Sequence, residues 1–191
     1  MKKLTLLLLS AFAFCNLQLS AQQPTQEEMA AMMVNISPGE MQKMMEKSVG
    51  DWTAHMKMYM DPSQPPMEQT TQVKTEMILG GRYLVSKYKG MMMGMPFEGI
   101  ATTAYDNGVK KFYSSWIDNM STGMSQMEGR WVDDTKMIEF KGISQDPMKG
   151  TEIKMRQTLE FVDADTQRMV MYMEDHGKEM KSMEIELKRN K

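Results

Sequence analysis

Trp52-Thr53-Ala54-His55-Met56-Lys57-Met58-Tyr59-Met60 alternates from one side-chain character to the other, and Arg168-Met169-Val170-Met171-Tyr172-Met173-Glu174 repeats the device near the far end of the chain. Side chains two apart share one face of a β-strand, so each stretch describes an apolar wall of a sheet. Trp52, Ala54, Met56, Met58 and Met60 form one such wall; Met169, Met171 and Met173 form another. The material is methionine, an unbranched and polarisable thioether, where leucine is the commoner choice.

Outward from these two stretches the period of two continues. It recurs over residues 69–79, 82–89, 97–105, 109–117, 124–132, 137–143, 153–162 and 180–189. The breaks between them carry turn residues: residues 61–66, Gly80-Gly81, Asp106-Asn107-Gly108, Asp133-Asp134, residues 145–150, residues 163–166 and Asp175-His176-Gly177. Breaks spaced by about ten residues argue an antiparallel all-β domain. About ten sequential strands with one apolar face each predict an up-and-down β-barrel, because closure removes exposed edges; a two-sheet sandwich is the alternative.

Ahead of the strands the period changes. Thr25-Gln26-Glu27-Glu28 reads as a capping box before Met29, Met32 and Met33, which fall on one helical stripe. Ser37-Pro38-Gly39-Glu40 supplies a second start, with Ser37 as cap and Pro38 at the first helical position. Met41, Met44 and Met45 follow, and Gly50 is placed to stop the helix. Two short helices acting as lids or plugs are expected. Met1-Lys2-Lys3, the apolar run that follows and Ala21 have the pattern of a secretory signal peptide. The chain thus divides into a leader at 1–21, a helical segment at 22–49 and the barrel at 50–191, with a periplasmic or extracellular destination expected.

Composition narrows the function. Of 191 residues 27 are methionine, and beyond the leader the leucines are Leu79, Leu84, Leu159 and Leu187 alone. The one cysteine, Cys15, falls inside the leader, which leaves no disulfide to hold the fold. Losing Lys2 and Lys3 from 23 basic groups, against 25 acidic ones, gives a net charge of about −4 with both signs interleaved. That is no electrostatic footprint for nucleic acid, and no run after the leader has the roughly 18 apolar residues a membrane helix needs.

Gly50-Asp51-Trp52 resembles the Gly-X-Trp opening of lipocalins and related calycin barrels. In those folds the tryptophan closes one barrel end against a basic side chain from the last strand. The resemblance implies that closing role for Gly50, Trp52 and Arg189. Further stretches, Ile78-Leu79-Gly80-Gly81-Arg82, Met95-Pro96-Phe97-Glu98-Gly99, Tyr105-Asp106, Trp116-Ile117-Asp118-Asn119-Met120-Ser121-Thr122 and Asp175-Gly177-Lys178-Glu179, together resemble the secreted bacterial family called domain of unknown function 1579. The likeness covers most of residues 38–189. It implies a lipocalin-like barrel and brings no established activity or catalytic residue.

Candidate chemistry follows from these walls. Barrels of eight to ten strands can hold one small ligand, and pockets combine apolar walls with a few polar groups. Met56, Met58, Phe97, Tyr105, Tyr113, Trp116 and Met171 are the expected interior, with Arg82 as polar partner for a small apolar or amphiphilic molecule. A second reading is Cu(I) or Ag(I), which soft thioethers favour, held by Met91, Met92, Met93 and Met95 in a strand connection. General use of methionine in place of leucine explains most of the others. His55 and His176 are too few and too separate for zinc, which wants three or four ligands. No motif calls for a cofactor. For an enzyme, only Asp106 and Asp118 stand out, and aspartates in such turns commonly bind their own backbone.

Overall fold

The computed structural model describes residues 23–61, 63–145, 150–175 and 177–191; residues 1–22, among them the expected leader at 1–21, and residues 62, 146–149 and 176 lie outside them. Wherever the sequence alternates, a strand forms: β1 Gly50–Met58, β2 Met67–Ile78, β3 Tyr83–Met92, β4 Met95–Asp106, β5 Lys111–Asp118, β6 Ser125–Val132, β7 Met137–Gln145, β8 Glu152–Phe161, β9 Thr166–Asp175 and β10 Lys178–Arg189. Each pairs antiparallel with the next, and β1 pairs with β10, so the ten strands close into an up-and-down barrel. No sandwich forms, since closure leaves no edge to cover.

The register fixes which side chains turn inward. Trp52 stands opposite Val73 on one side and Arg189 on the other, and Ala54 opposite Thr71 and Leu187. The inward rows continue through Tyr88, Phe97, Phe112, Phe140 and Met155, all buried. Rings of this size fit because glycines face them. A Cβ on Gly99 would run into the six-membered ring of Trp116, and one on Gly129 would lie 2.5 Å from Phe140 Cδ1.

The buried side chains form two separate clusters. One gathers Trp52, Ala54, Met56, Val73, Tyr88, Phe97, Ile185 and Leu187 on the β10–β1–β2–β3–β4 side. The other gathers Met45, Leu84, Phe112, Met127, Ile138, Phe140 and Met155. Met45 belongs to a helix, which shows how one barrel end is plugged. Helix α2 (Glu40–Glu46) leaves Met45 only 1% exposed, and Gln42 Nε2 donates to the Tyr105 carbonyl at 2.8 Å.

Helix α1 (Gln26–Ile36) differs from the expected plug. Its capping box forms, with Thr25 N donating to Glu28 Oε2 at 2.7 Å and Glu28 N donating to Thr25 Oγ1 at 3.2 Å. None of its residues is buried, and Met29, Met32 and Met33 are each more than half exposed. It rests outside, tied by Asn107 Nδ2, which donates to the Ser37 carbonyl at 2.7 Å. Helix α2 begins later than the sequence implies. Gly39 is its cap, and the Gln42 side chain accepts from Gly39 N at 2.8 Å, so Ser37 and Pro38 serve as the link between helices. Gly50 ends no helix; it opens β1 at φ 137°, a backbone conformation that glycine adopts freely. Met60 lies beyond β1 and is 68% exposed, so the first wall stops at Met58.

Candidate functional site

The closed end is locked by one cation. The Arg189 guanidinium lies 4.1 Å from the centre of the Trp52 ring, within cation–π range. It also donates to the carbonyls of Val49 (2.7 Å), Lys47 (2.7 Å) and Ala164 (3.1 Å). Trp52 Nε1 donates to the Ser48 carbonyl at 2.9 Å. Gly50 is needed beside them, for a Cβ there would stand 2.7 Å from Arg189 Nη1. Three residues from the two chain ends of the barrel thus form a single clasp.

The interior is the second feature. Met56, Met58, Phe97, Tyr105, Trp116 and Met171 all point into it. Met56 and Phe97 belong to the first buried cluster and Trp116 packs on it, whereas Tyr105 and Met171 pack on the second. Trp116 stacks on Phe97 with ring centres 6.2 Å apart and meets Tyr88 edge-on at 5.2 Å. Burial pushes the Tyr88 hydroxyl up to about 12. Ala101, Thr103, Trp116, Met169, Met171 and Met183 face inward and are only half-buried, with all but Thr103 packed against one cluster or the other.

Two residues expected in that interior lie elsewhere. Tyr113 is on the outer face, 38% exposed, opposite Ala104 and Glu128. It is three residues from Trp116, and positions three apart on a strand point to opposite faces. Arg82 lies in the exposed β2–β3 turn, where Nε donates to the Ile36 carbonyl at 3.2 Å and Nη1 to that of Leu79 at 3.2 Å. It clips α1 to the turn and takes no part in the interior.

Met91, Met92, Met93 and Met95 are not an open loop. They are the tip of the β3–β4 hairpin, with Met93 (φ 51°) and Gly94 (φ 79°) as its two turn residues and Met92 paired with Met95. Alternation continues through them. Met92 turns inward against the first cluster, while Met91 shares the outer face with Lys89. The four sulfurs therefore do not converge from one face, as an ion held by all of them would require.

The carboxylates are engaged. Asp106 Oδ1 accepts from Gly108 N (2.8 Å) and Val109 N (3.1 Å), which is turn formation. Asp118 points inward at the end of β5; Oδ2 accepts from Trp116 Nε1 at 2.6 Å and Oδ1 from Met120 N at 2.9 Å. It thereby fixes the indole across the interior. That link, and the inward places of Tyr88 and Met183, were not picked out from the sequence. The signal was available in the spacing of Trp116 and Asp118 by two. His55 is exposed on the outer face, and among the described residues no group of three metal-ligating side chains comes together from His, Cys, Asp and Glu. A groove of about 450 Å³ crosses the outside of β3, β4 and β5, but its lysines are already paired, Lys87 with Glu76 and Lys89 with Glu98. Among the described residues no helix is long and apolar enough to cross a membrane.

Comparison with known proteins agrees with this geometry. The crystal structure of Rv2717c from M. tuberculosis is similar over 81% of this chain and 100% of that one, with a TM-score of 0.58 at 14% identity, a likeness of fold. No curated protein matches the sequence. Residues 37–189 match the family described as "Protein of unknown function (DUF1579)", and the chain belongs to that family.

Proposed function

We propose that the chain is an exported, non-enzymatic barrel that holds a small apolar or amphiphilic molecule in its interior. The observation that carries this is the set of inward side chains left half-buried, Ala101, Thr103, Trp116, Met169, Met171 and Met183, which supports an interior that its own side chains do not seal. The wall residues suit the task. Methionines on β8, β9 and β10 adapt to ligand shape, and the stacked rings on β3, β4 and β5 give a firm opposite surface. Export rests on the basic and apolar pattern of residues 1–21.

Nile red, a neutral dye whose emission shifts to the blue in apolar surroundings, tests the reading. Saturable, blue-shifted binding is expected, and Thr103→Trp, which fills the half-buried space from β4, should weaken it by about tenfold or more, about 1.4 kcal/mol. Thermal melting of the variant checks that it is folded. Binding that never saturates, or equal affinity in the folded variant, overturns the proposal.

A further inference from the structure

The sulfurs at the β3–β4 hairpin tip point to two faces, but those of β1, β2 and β10 share one. Met58, the last residue of β1, stands directly opposite Met67 on β2 and Met183 on β10, and Met183 in turn stands opposite Met171 on β9. Side chains paired in this way have Cβ atoms about 5 Å apart. A break in the ladder contributes to the row. Met180 and Met183 are three apart, which on a regular strand puts them on opposite faces. The register shifts between Lys181 and Met183, however, and both face inward, Met180 opposite Met173. Irregularities of this kind re-aim side chains and are over-represented beside functional sites.

Core packing alone does not account for methionine in this row. Leu84, Leu159 and Leu187 also face inward, and each lies in the half of its strand nearer the α2 plug. Leucine thus serves the inner face at one end, and methionine stands in its place toward the other. Met58 is 6% exposed yet belongs to neither buried cluster, and Met67, half-buried, packs against neither. Met58 ends β1 and Met67 begins β2, at the barrel rim away from the plug, where an ion arriving from solvent reaches them first. A thioether is a neutral, polarisable donor. Several side by side on one face suit Cu(I) or Ag(I), which take soft sulfur, whereas Mg(II) and Ca(II) take oxygen.

We propose that Met67, Met58 and Met183 together bind one soft monovalent metal ion, Cu(I) or Ag(I), at the barrel rim away from the plug. The site does not depend on an apolar molecule in the interior. Ag(I), which needs no reductant, is the probe: protein isotopically labelled at the methionine methyl groups is titrated with silver nitrate in chloride-free buffer and followed by NMR. The methyl signals of Met58, Met67 and Met183 are expected to shift together and to saturate at one equivalent, ahead of those of the exposed Met91, Met93 and Met95. Met67→Leu combined with Met183→Leu, changes that conserve volume and apolar character, should weaken binding by about tenfold or more. The same change at Met91, Met93 and Met95 should leave it within about twofold. First shifts at the hairpin methionines, or shifts spread over all exposed methionines, mean adventitious binding and overturn the proposal, and so does a folded Met67→Leu, Met183→Leu variant with the parent's affinity. The titration of the unaltered protein needs no variant, so misfolding of the latter leaves the claim open to refutation. Saturable Nile red binding without the Ag(I) shifts overturns this site alone, and the shifts without dye binding overturn interior binding alone.

Discussion

Gly99 shapes the interior by what it lacks. Its inward face is occupied by the Trp116 ring, which is held by the Asp118 hydrogen bond at 2.6 Å and by contacts with Phe97 and Tyr88. A side chain there has to displace a ring fixed from three directions. Gly99→Ala is expected to destabilise the protein by about 1–3 kcal/mol, the usual cost of overpacking. Urea denaturation followed by tryptophan emission measures it, and a variant as stable as the parent would show that the indole swings aside freely. The residue scale is also where sequence reading failed most. Phe112-Tyr113-Ser114-Ser115-Trp116-Ile117 carries apolar groups on both phases of its alternation, so the pattern alone does not say which phase faces in. The neighbours decide it: Gly99 on β4 and Gly129 on β6 leave room for Trp116, Phe112 and Phe140 on one face only.

At the scale of elements, the strands were legible because one face of each is apolar and the turns carry glycine, proline or aspartate. The helices were legible as helices and not by position. Met29, Met32 and Met33 on α1 make as good a stripe as Met41, Met44 and Met45 on α2, yet only α2 is buried. What separates them is reach. Helix α2 is joined to β1 by residues 47–49 and cannot leave the barrel end, whereas α1 is one connection further off. Met45→Ala is therefore expected to cost about 2–5 kcal/mol, and Met33→Ala, the same change on an exposed helix, less than about 0.5 kcal/mol. Thermal melts of the two variants side by side provide the comparison, and equal losses would contradict the plug. The hairpin at Met91 to Met95 escaped for a simpler reason. Four methionines in five residues conceal any alternation, because every position is apolar.

The whole molecule is wrapped in paired charges on its outer face. Hydrogen bonds from basic partners hold several carboxyls below their ordinary value of 4.5: Lys87 acts on Glu76, Arg156 on Glu179, Lys181 on Glu184 and Lys188 on Glu186. A carboxyl more acidic in the folded than in the unfolded chain stabilises the fold above its unfolded pKa, and that contribution is lost as pH falls through the folded value. The melting temperature should hold steady between pH 8 and about 5 and drop below about 4.5. Added salt should flatten the drop, because these pairs are exposed and screened. A melting temperature that rises on acidification would mean that carboxyl repulsion outweighs the pairs. Closure of the barrel by β1 on β10 carries one more consequence, in the time domain. Every other strand pair joins sequence neighbours and can zip up as a local hairpin, but the Trp52–Arg189 seam joins positions at opposite ends of the domain. Bringing such distant segments together is the slow step in chains dominated by non-local pairing, which fold in milliseconds to seconds. Until residue 189 has emerged and docked, β1 is an unmatched edge of alternating methionines, and that interval is when the chain is most open to pairing with another copy of itself.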